Sequence, residues 1–295
     1  MSGPGVALQV LRPGALTTVQ DLGRPGYAHL GVPRSGALDT GAHRLANRLL
    51  GNPPEAAALE TTLDGVSLRA LAPVVIAVTG APCAVRASGH PVPWGAPVRL
   101  RAGVEVDIGR AESGLRSYVA VRGGFAVPPV LGSRSTDLLS GLGPAALSAG
   151  VVLPVGTPGP DPVHGVDAPA APGPPRELVL PLRLGPRADW FTPASIAGLW
   201  RSHYRVSAAS NRIGLRTEGP ELARARTGEL PSEGMVLGAV QVPPDGRPVV
   251  FLADHPVTGG YPVIGVVPRG PALDAAAQSR PGSGLRFTPA GAGVG

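Results

Sequence analysis

The chain contains no lysine, so all 26 of its basic residues are arginine. That absence excludes a Walker A phosphate loop, a Schiff-base or pyridoxal-phosphate lysine, and covalent biotin or lipoate on this chain, because each needs an ε-amine. Any nucleotide bound here depends on arginine and backbone N–H groups. Cysteine is nearly as scarce. Cys83 is the single thiol, which rules out an internal disulfide, a thiol zinc cluster or a redox pair and reads as a small buried apolar residue. No apolar run approaches the ~20 residues that cross a bilayer, and Met1–Gly5 lacks a signal-peptide layout, so a soluble, cytoplasmic protein without a membrane partner is expected. Aromatic residues make up 4% of the chain. Despite a net charge of +6, the arginines are scattered without aromatic interleaving, which argues against a nucleic-acid partner. His29, His43, His90, His164 and His203 show no metal-ligand spacing, and neither HExxH nor GxSxG occurs, so no metal site and no zinc or serine hydrolase is expected.

What abounds is turn chemistry. The 43 glycines and 36 prolines separate short runs of Val, Leu and Ile, the pattern of many short strands. Only the stretch 154–175, rich in Pro, Gly and Ala, has too little apolar content for a packed element. It reads as a linker between a first β-barrel subdomain, 1–153, and a second, 176–295. The fold class expected is mainly β, two barrels with one principal helix each. In the first half, Asp39 caps a helix whose face is Leu38, Ala42, Leu45, Ala46 and Leu49, stopped by Gly51 and Asn52-Pro53. Between Ala58 and Val127 the pattern is almost wholly β, and Val98-Arg99-Leu100-Arg101 alternates strictly, leaving one face wet. Gly141-Leu-Gly-Pro-Ala-Ala146 fits GxGxxA, but no strand precedes it and Pro144 interrupts it, so no dinucleotide site is expected. In the second half, Thr192 caps a short helix opened by Pro193, with Ile196, Leu199 and Trp200 facing inward, and Pro271–Gln278 forms one or two helical turns.

Three polar, glycine-containing clusters lie beside β-like runs at Ile213–Thr217, Met235–Val242 and Arg247–Ala253: Ser210–Arg216, Pro231–Gly234 and Ala253–Pro262. Asp254 and His255 form the first acid–base pair to consider, although neighbours on a strand point to opposite faces and Asp254 equally suits a structural cap. Thr258, Gly259 and Gly260 supply unobstructed N–H groups for an anion nest, or simply a tight turn. Asn211, Arg212 and Arg216 can grip a carboxylate or phosphate, or make surface ion pairs. Glu233 is either a general base or a cap. In the first half, Arg24, Arg34, Ser35, Asp39 and Arg134 sit beside loop glycines and read as structural.

Seven segments, in order, carry a resemblance: Arg12-Pro-Gly, Thr18–Tyr27, Gly31–Asp39, Leu131–Thr136, Ser210–Gly214, Pro231–Gly234 and Asp254–Pro262. Together they resemble the biotin-dependent carboxyltransferase or allophanate hydrolase subunit 2 family, whose freestanding bacterial members are the C subunits of 5-oxoprolinases, the KipA type. The chain departs from it at Pro268–Pro271, where the family usually continues as a strand, and at Gly150-Val151, where Gly-Asp is common. The resemblance implies cyclophilin-like β-barrels and two partners, the B subunit of 5-oxoprolinase, of the KipI type, and the A subunit. The implied activity is ATP-dependent opening of 5-oxo-L-proline to L-glutamate by the assembled enzyme, this chain being inactive alone, with ATP and Mg²⁺ possible at a partner. Arginines and a glycine nest suit the charge developing on an activated lactam. Regulatory pairing with a KipI-type histidine-kinase inhibitor and carboxyl transfer to a urea-like substrate, with biotin on another chain, are the alternatives. On the 5-oxoprolinase reading the site residues are Asp254, His255 and Glu233 for catalysis, and Asn211, Arg212, Arg216, Thr258, Gly259, Gly260 and Tyr261 for substrate.

Overall fold

The structure, a computed structural model, describes residues 7–164, 177–228 and 230–290. It divides into two compact units. The first comprises the described parts of Met1–Arg24, Ser35–Asp137 and Gly141–Gly173, and the second those of Pro25–Arg34, Leu138–Ser140 and Pro174–Gly295. The division is thus not a single cut, because two short segments of the first half belong to the second unit. Of the expected linker, Val155 bridges Phe125 and the Gly156 N–H donates to Gly124 O at 2.9 Å, so its beginning is packed on the first unit. Residues 165–175 of that linker lie outside the described residues.

Strands of the first unit form two antiparallel sheets. One has six strands in the order Val152–Pro154, Ala7–Arg12, Val66–Ala70, Glu105–Ala111, Cys83–Ala87, His90–Val92. The other has five: Leu16–Gln20, Ala58–Thr62, Arg116–Val121, Val74–Gly80, Val98–Leu100. Alternation at Val98–Arg101 behaves as the pattern demands, with Val98 and Leu100 buried and Arg99 and Arg101 exposed. Leu8, Val10, Leu59, Leu68, Ile76 and Val119 are fully buried in the core, and Cys83 packs among them as a small hydrophobe. Helix α1, Thr40–Leu49, starts where Asp39 accepts from the Ala42 N–H at 2.8 Å and sets Ala46 and Leu49 against Ala58, Ala77, Tyr118 and Ala120.

Two polar side chains share that buried face of α1, which the apolar stripe did not foretell. Asn47 donates to Ala56 O at 2.8 Å, and His43 donates through Nε2 to Gln20 O at 3.1 Å. Burial outweighs this hydrogen bond and the attraction of Asp21 and Glu60, holding the His43 pKa below its ordinary value of 6.5. The unfolded chain therefore takes up a proton that the folded chain refuses. Stability is full above the unfolded value and is lost as pH falls from 6.5 toward the depressed folded value. Urea midpoints are expected to drop between about pH 7.5 and about pH 5.5, and His43→Asn to flatten part of that slope. An unchanged slope in the variant refutes the assignment.

The second unit is a closed barrel in the order Glu177–Leu184, Val263–Val266, Ala239–Gln241, Val249–Phe251, Gly214–Glu218, Tyr204–Val206, Gly284–Pro289. Its first and last strands close it as a parallel pair, in register from Glu177 opposite Gly284 to Leu182 opposite Pro289. Leu180, Val240, Ile264, Leu285 and Phe287 fill the interior. Two helices serve this unit rather than one. In α2, Pro193–Arg201, Thr192 Oγ1 accepts from the Ser195 N–H at 3.1 Å and Leu199 is buried; α3, Pro271–Ala277, follows directly on Pro268–Gly270. The apolar run Met235–Val242 is not one strand. A turn closed by Ala239 N–H on Val236 O at 3.0 Å interrupts it, leaving a two-residue ribbon, Glu233–Gly234 with Thr258–Gly259, beside the Ala239–Gln241 strand. Among the described residues no helix is long and apolar enough to cross a membrane.

Candidate functional site

Asn211 opens the polar region with a side-chain turn. Its Oδ1 accepts from the N–H of Ile213 at 2.8 Å and of Gly214 at 3.3 Å, starting the Gly214–Glu218 strand. Asn211 and, further along that strand, Arg216 are exposed. Arg212 between them is 1% exposed. Its guanidinium forks onto Asp254, Nε to Oδ2 at 2.9 Å and Nη2 to Oδ1 at 3.0 Å. The backbone repeats the pairing, with Asp254 N–H on Arg212 O at 3.0 Å. Oδ2 of Asp254 also accepts from the Leu138 N–H at 3.2 Å. Two expected site residues are thus brought together, as partners of each other in the interior.

His255 is buried beside this pair. Its Nδ1 donates to Pro256 O at 2.7 Å, and its ring stacks on Phe251 with centroids 6.0 Å apart.

Glu233, Thr258 and Gly259 meet in the short ribbon, Glu233 opposite Gly259 and Gly234 opposite Thr258. Arg187, in the turn Pro186–Trp190, forks onto Glu233, Nε lying 2.9 Å from Oε1 and 3.1 Å from Oε2 while Nη2 also bonds Oε1. These hydrogen bonds hold the Glu233 carboxyl below the ordinary carboxylate range, so it is an anion at neutral pH. The pair ties the 186–190 turn to the ribbon. Beyond the ribbon, Gln241 Nε2 donates to Tyr261 O at 3.3 Å, and Gly259 runs so close to that amide that a Cβ there would lie 2.7 Å from Nε2.

Between these elements lies a cleft of about 550 Å³, walled by Trp190, Arg224, Leu230, Gly260, Tyr261 and Pro262, within the ~300–1,000 Å³ usual for small-molecule sites. Of the expected site residues, Gly260 and Tyr261 line it; Arg212, Asp254 and His255 do not. Trp190 and Arg224 reach it through a short antiparallel contact, Ala225 N–H on Trp190 O at 2.8 Å and Thr192 N–H on Ala223 O at 3.2 Å. Trp190 is 8% exposed and its buried indole N–H has no acceptor among the described residues, an unmet donor that costs ~1–3 kcal/mol. Arg187, Trp190 and Arg224 were not anticipated. The signal available was local: Gly185-Pro186 ends a strand, and a charged residue and a rare tryptophan follow at once. Among the described residues no three His, Cys, Asp or Glu side chains stand together as a metal site.

Comparison with known proteins gives concordant results. Residues 30–289 match the carboxyltransferase domain, subdomain A and B. The chain is 40% identical over 263 residues to the 5-oxoprolinase C subunit of Escherichia coli (strain K12), covering 88% of this chain and 84% of that protein. It is 35% identical over 275 residues to the Haemophilus influenzae protein of the same name, covering 92% and 87%. Among solved structures, K. lactis urea amidolyase superposes with a TM-score of 0.89 at 32% identity over 98% of this chain, which spans 19% of that much longer one.

Proposed function

Since this chain belongs to the carboxyltransferase family of subdomains A and B, we propose that it is the C subunit of a multi-subunit, ATP-dependent 5-oxoprolinase, opening 5-oxo-L-proline to L-glutamate together with the A and B subunits. The observation that carries this reading is the nearly end-to-end correspondence with the E. coli protein, 88% of one chain against 84% of the other. The match takes in most of that subunit but 19% of the urea amidolyase chain, which favours the subunit.

No metal-binding cluster exists among the described residues, Arg187 is taken by Glu233, and Arg226 by Asp189 at 2.6 Å. In this reading ATP and its Mg²⁺ sit on a partner chain. This chain's share is to bind and orient the lactam. Tyr261 and Trp190 offer flat apolar walls, Gly260 presents backbone without a side chain, and the Arg187–Glu233 pair holds the wall carrying Trp190 against the ribbon that leads to Tyr261. In this scheme Arg212 and Asp254 position the ribbon rather than touch substrate.

Reconstitution with the A and B subunits is expected to release glutamate from 5-oxoproline in the presence of ATP, and omission of this chain to abolish release. Full activity from those two partners alone sinks the reading. The likeness to urea amidolyase supports carboxyl transfer to a urea-like substrate as the second reading. That chemistry takes biotin from another chain, since no lysine exists here to carry it, and carboxybiotin-dependent carboxylation of urea by the same preparation separates the two.

A further inference from the structure

Arginines crowd the cleft end of the second unit, and their partners distinguish them. Arg187 is neutralised by Glu233, Arg226 by Asp189, and Arg247 faces Glu221 at 3.9 Å. Arg224 lines the cleft itself, partly buried, and among the described residues no carboxylate pairs with it; one N–H donates to Val242 O at 3.0 Å. The rest of its planar fork stays available for a bidentate anion. The same cleft is walled by Trp190 and by Tyr261, which is 45% exposed. A cation and two aromatic side chains in one hollow suit a compact, flat ligand that carries a carboxylate.

We infer that Arg224 binds the carboxylate of a small cyclic amide acid in this cleft, with Trp190 and Tyr261 walling the ring. The inference rests on the 5-oxoprolinase reading for the identity of the substrate, and on the cleft alone for its chemistry. It assigns substrate contact to two residues, Trp190 and Arg224, outside the family segments recognised in the sequence. The cleft is roomier than one five-membered ring needs, which leaves the opposite side of the ring open to groups brought by a partner chain.

The test has two arms. In the reconstituted complex, Arg224→Gln is expected to raise KM for 5-oxo-L-proline about tenfold or more with kcat changed far less, as loss of a charge-assisted hydrogen bond to a uniformly bound group dictates. Tyr261→Ala, at a half-exposed position that leaves folding intact, raises KM about two- to tenfold. Arg99→Gln, on an exposed strand of the first unit, leaves KM unchanged. In the second arm, Trp94→Phe and Trp200→Phe make Trp190 the only indole of the full-length chain. Its emission is then expected to shift saturably with 5-oxo-L-proline and at least about tenfold more weakly with 2-pyrrolidinone, which lacks the carboxylate. If the complex turns over 5-oxoproline and Arg224→Gln leaves KM unchanged, the inference falls and the proposed function stands. If the complex releases no glutamate, the proposed function falls, and the emission arm decides: saturation that discriminates for the carboxylate upholds the cleft, and no response or no discrimination overturns it.

Discussion

Asp254→Ala is expected to destabilise the protein by about 3–5 kcal/mol, measured by chemical denaturation, because it takes the bidentate carboxylate from a charged guanidinium in the interior. Arg212 is 1% exposed and cannot turn to water, and the same truncation strips the Leu138 N–H of its acceptor. The Coulomb attraction within such a pair is largely cancelled by the cost of taking both charges out of water. Removing both is therefore expected to be far milder than removing one. The double variant Arg212→Met/Asp254→Leu should recover most of the loss. If Asp254→Ala lies within about 1 kcal/mol of the parent, the pair is not the anchor described above. The recovered double variant also separates structure from chemistry: as a positioning pair it is expected to retain glutamate release in the complex, and a folded but inactive double variant would place the pair in the reaction.

Gly65→Ala should be as damaging by a different route. At φ +64° the backbone is left-handed, and an added Cβ would sit 1.9 Å from Ile108 O and 2.5 Å from Gly109 O. Left-handed backbone costs a residue with a Cβ about 1–2 kcal/mol. Displacing two backbone carbonyls of the Glu105–Ala111 strand adds ~1–3 kcal/mol. Gly103 provides the control, since at φ +82° nothing lies within 4 Å of its would-be Cβ. Its alanine variant is expected to lose only the conformational share, and equal shifts in Tm for the two variants would show that the carbonyl contact is immaterial.

The legible parts of the fold are those with local causes. Asp39 and Thr192 announced α1 and α2 because a capping side chain acts within three residues of its own position. Strand runs showed through their alternation, and the parallel closure of the barrel did not, since nothing in Glu177–Leu184 names a partner more than a hundred residues away. His43 and Asn47 were invisible as buried residues because their burial depends on the carbonyls of Gln20 and Ala56, supplied by other segments. At the site, sequence composition singled out Arg212, Asp254 and Glu233 as charged residues beside glycine. It left open whether they grip a ligand or serve as ion pairs and caps, and folding pairs Arg212 with Asp254 and Glu233 with Arg187. Ion pairing is settled by distance in space, which spacing along the chain does not contain. For the same reason Arg224, in an unremarkable stretch, escaped notice although it is the arginine lining the cleft that folding leaves without a carboxylate.

Because the strand at Glu177–Leu184 is hydrogen-bonded to the one at Gly284–Pro289, the barrel has a seam that joins its earliest and latest segments. A ribosome making this protein releases six of the seven staves before the seventh exists, so the growing unit carries two raw sheet edges until residue 289 clears the exit tunnel. Ring closure then spans the whole unit in one loop, the sort of distant contact that slows folding. During that wait the exposed edges are open to pairing with other strands.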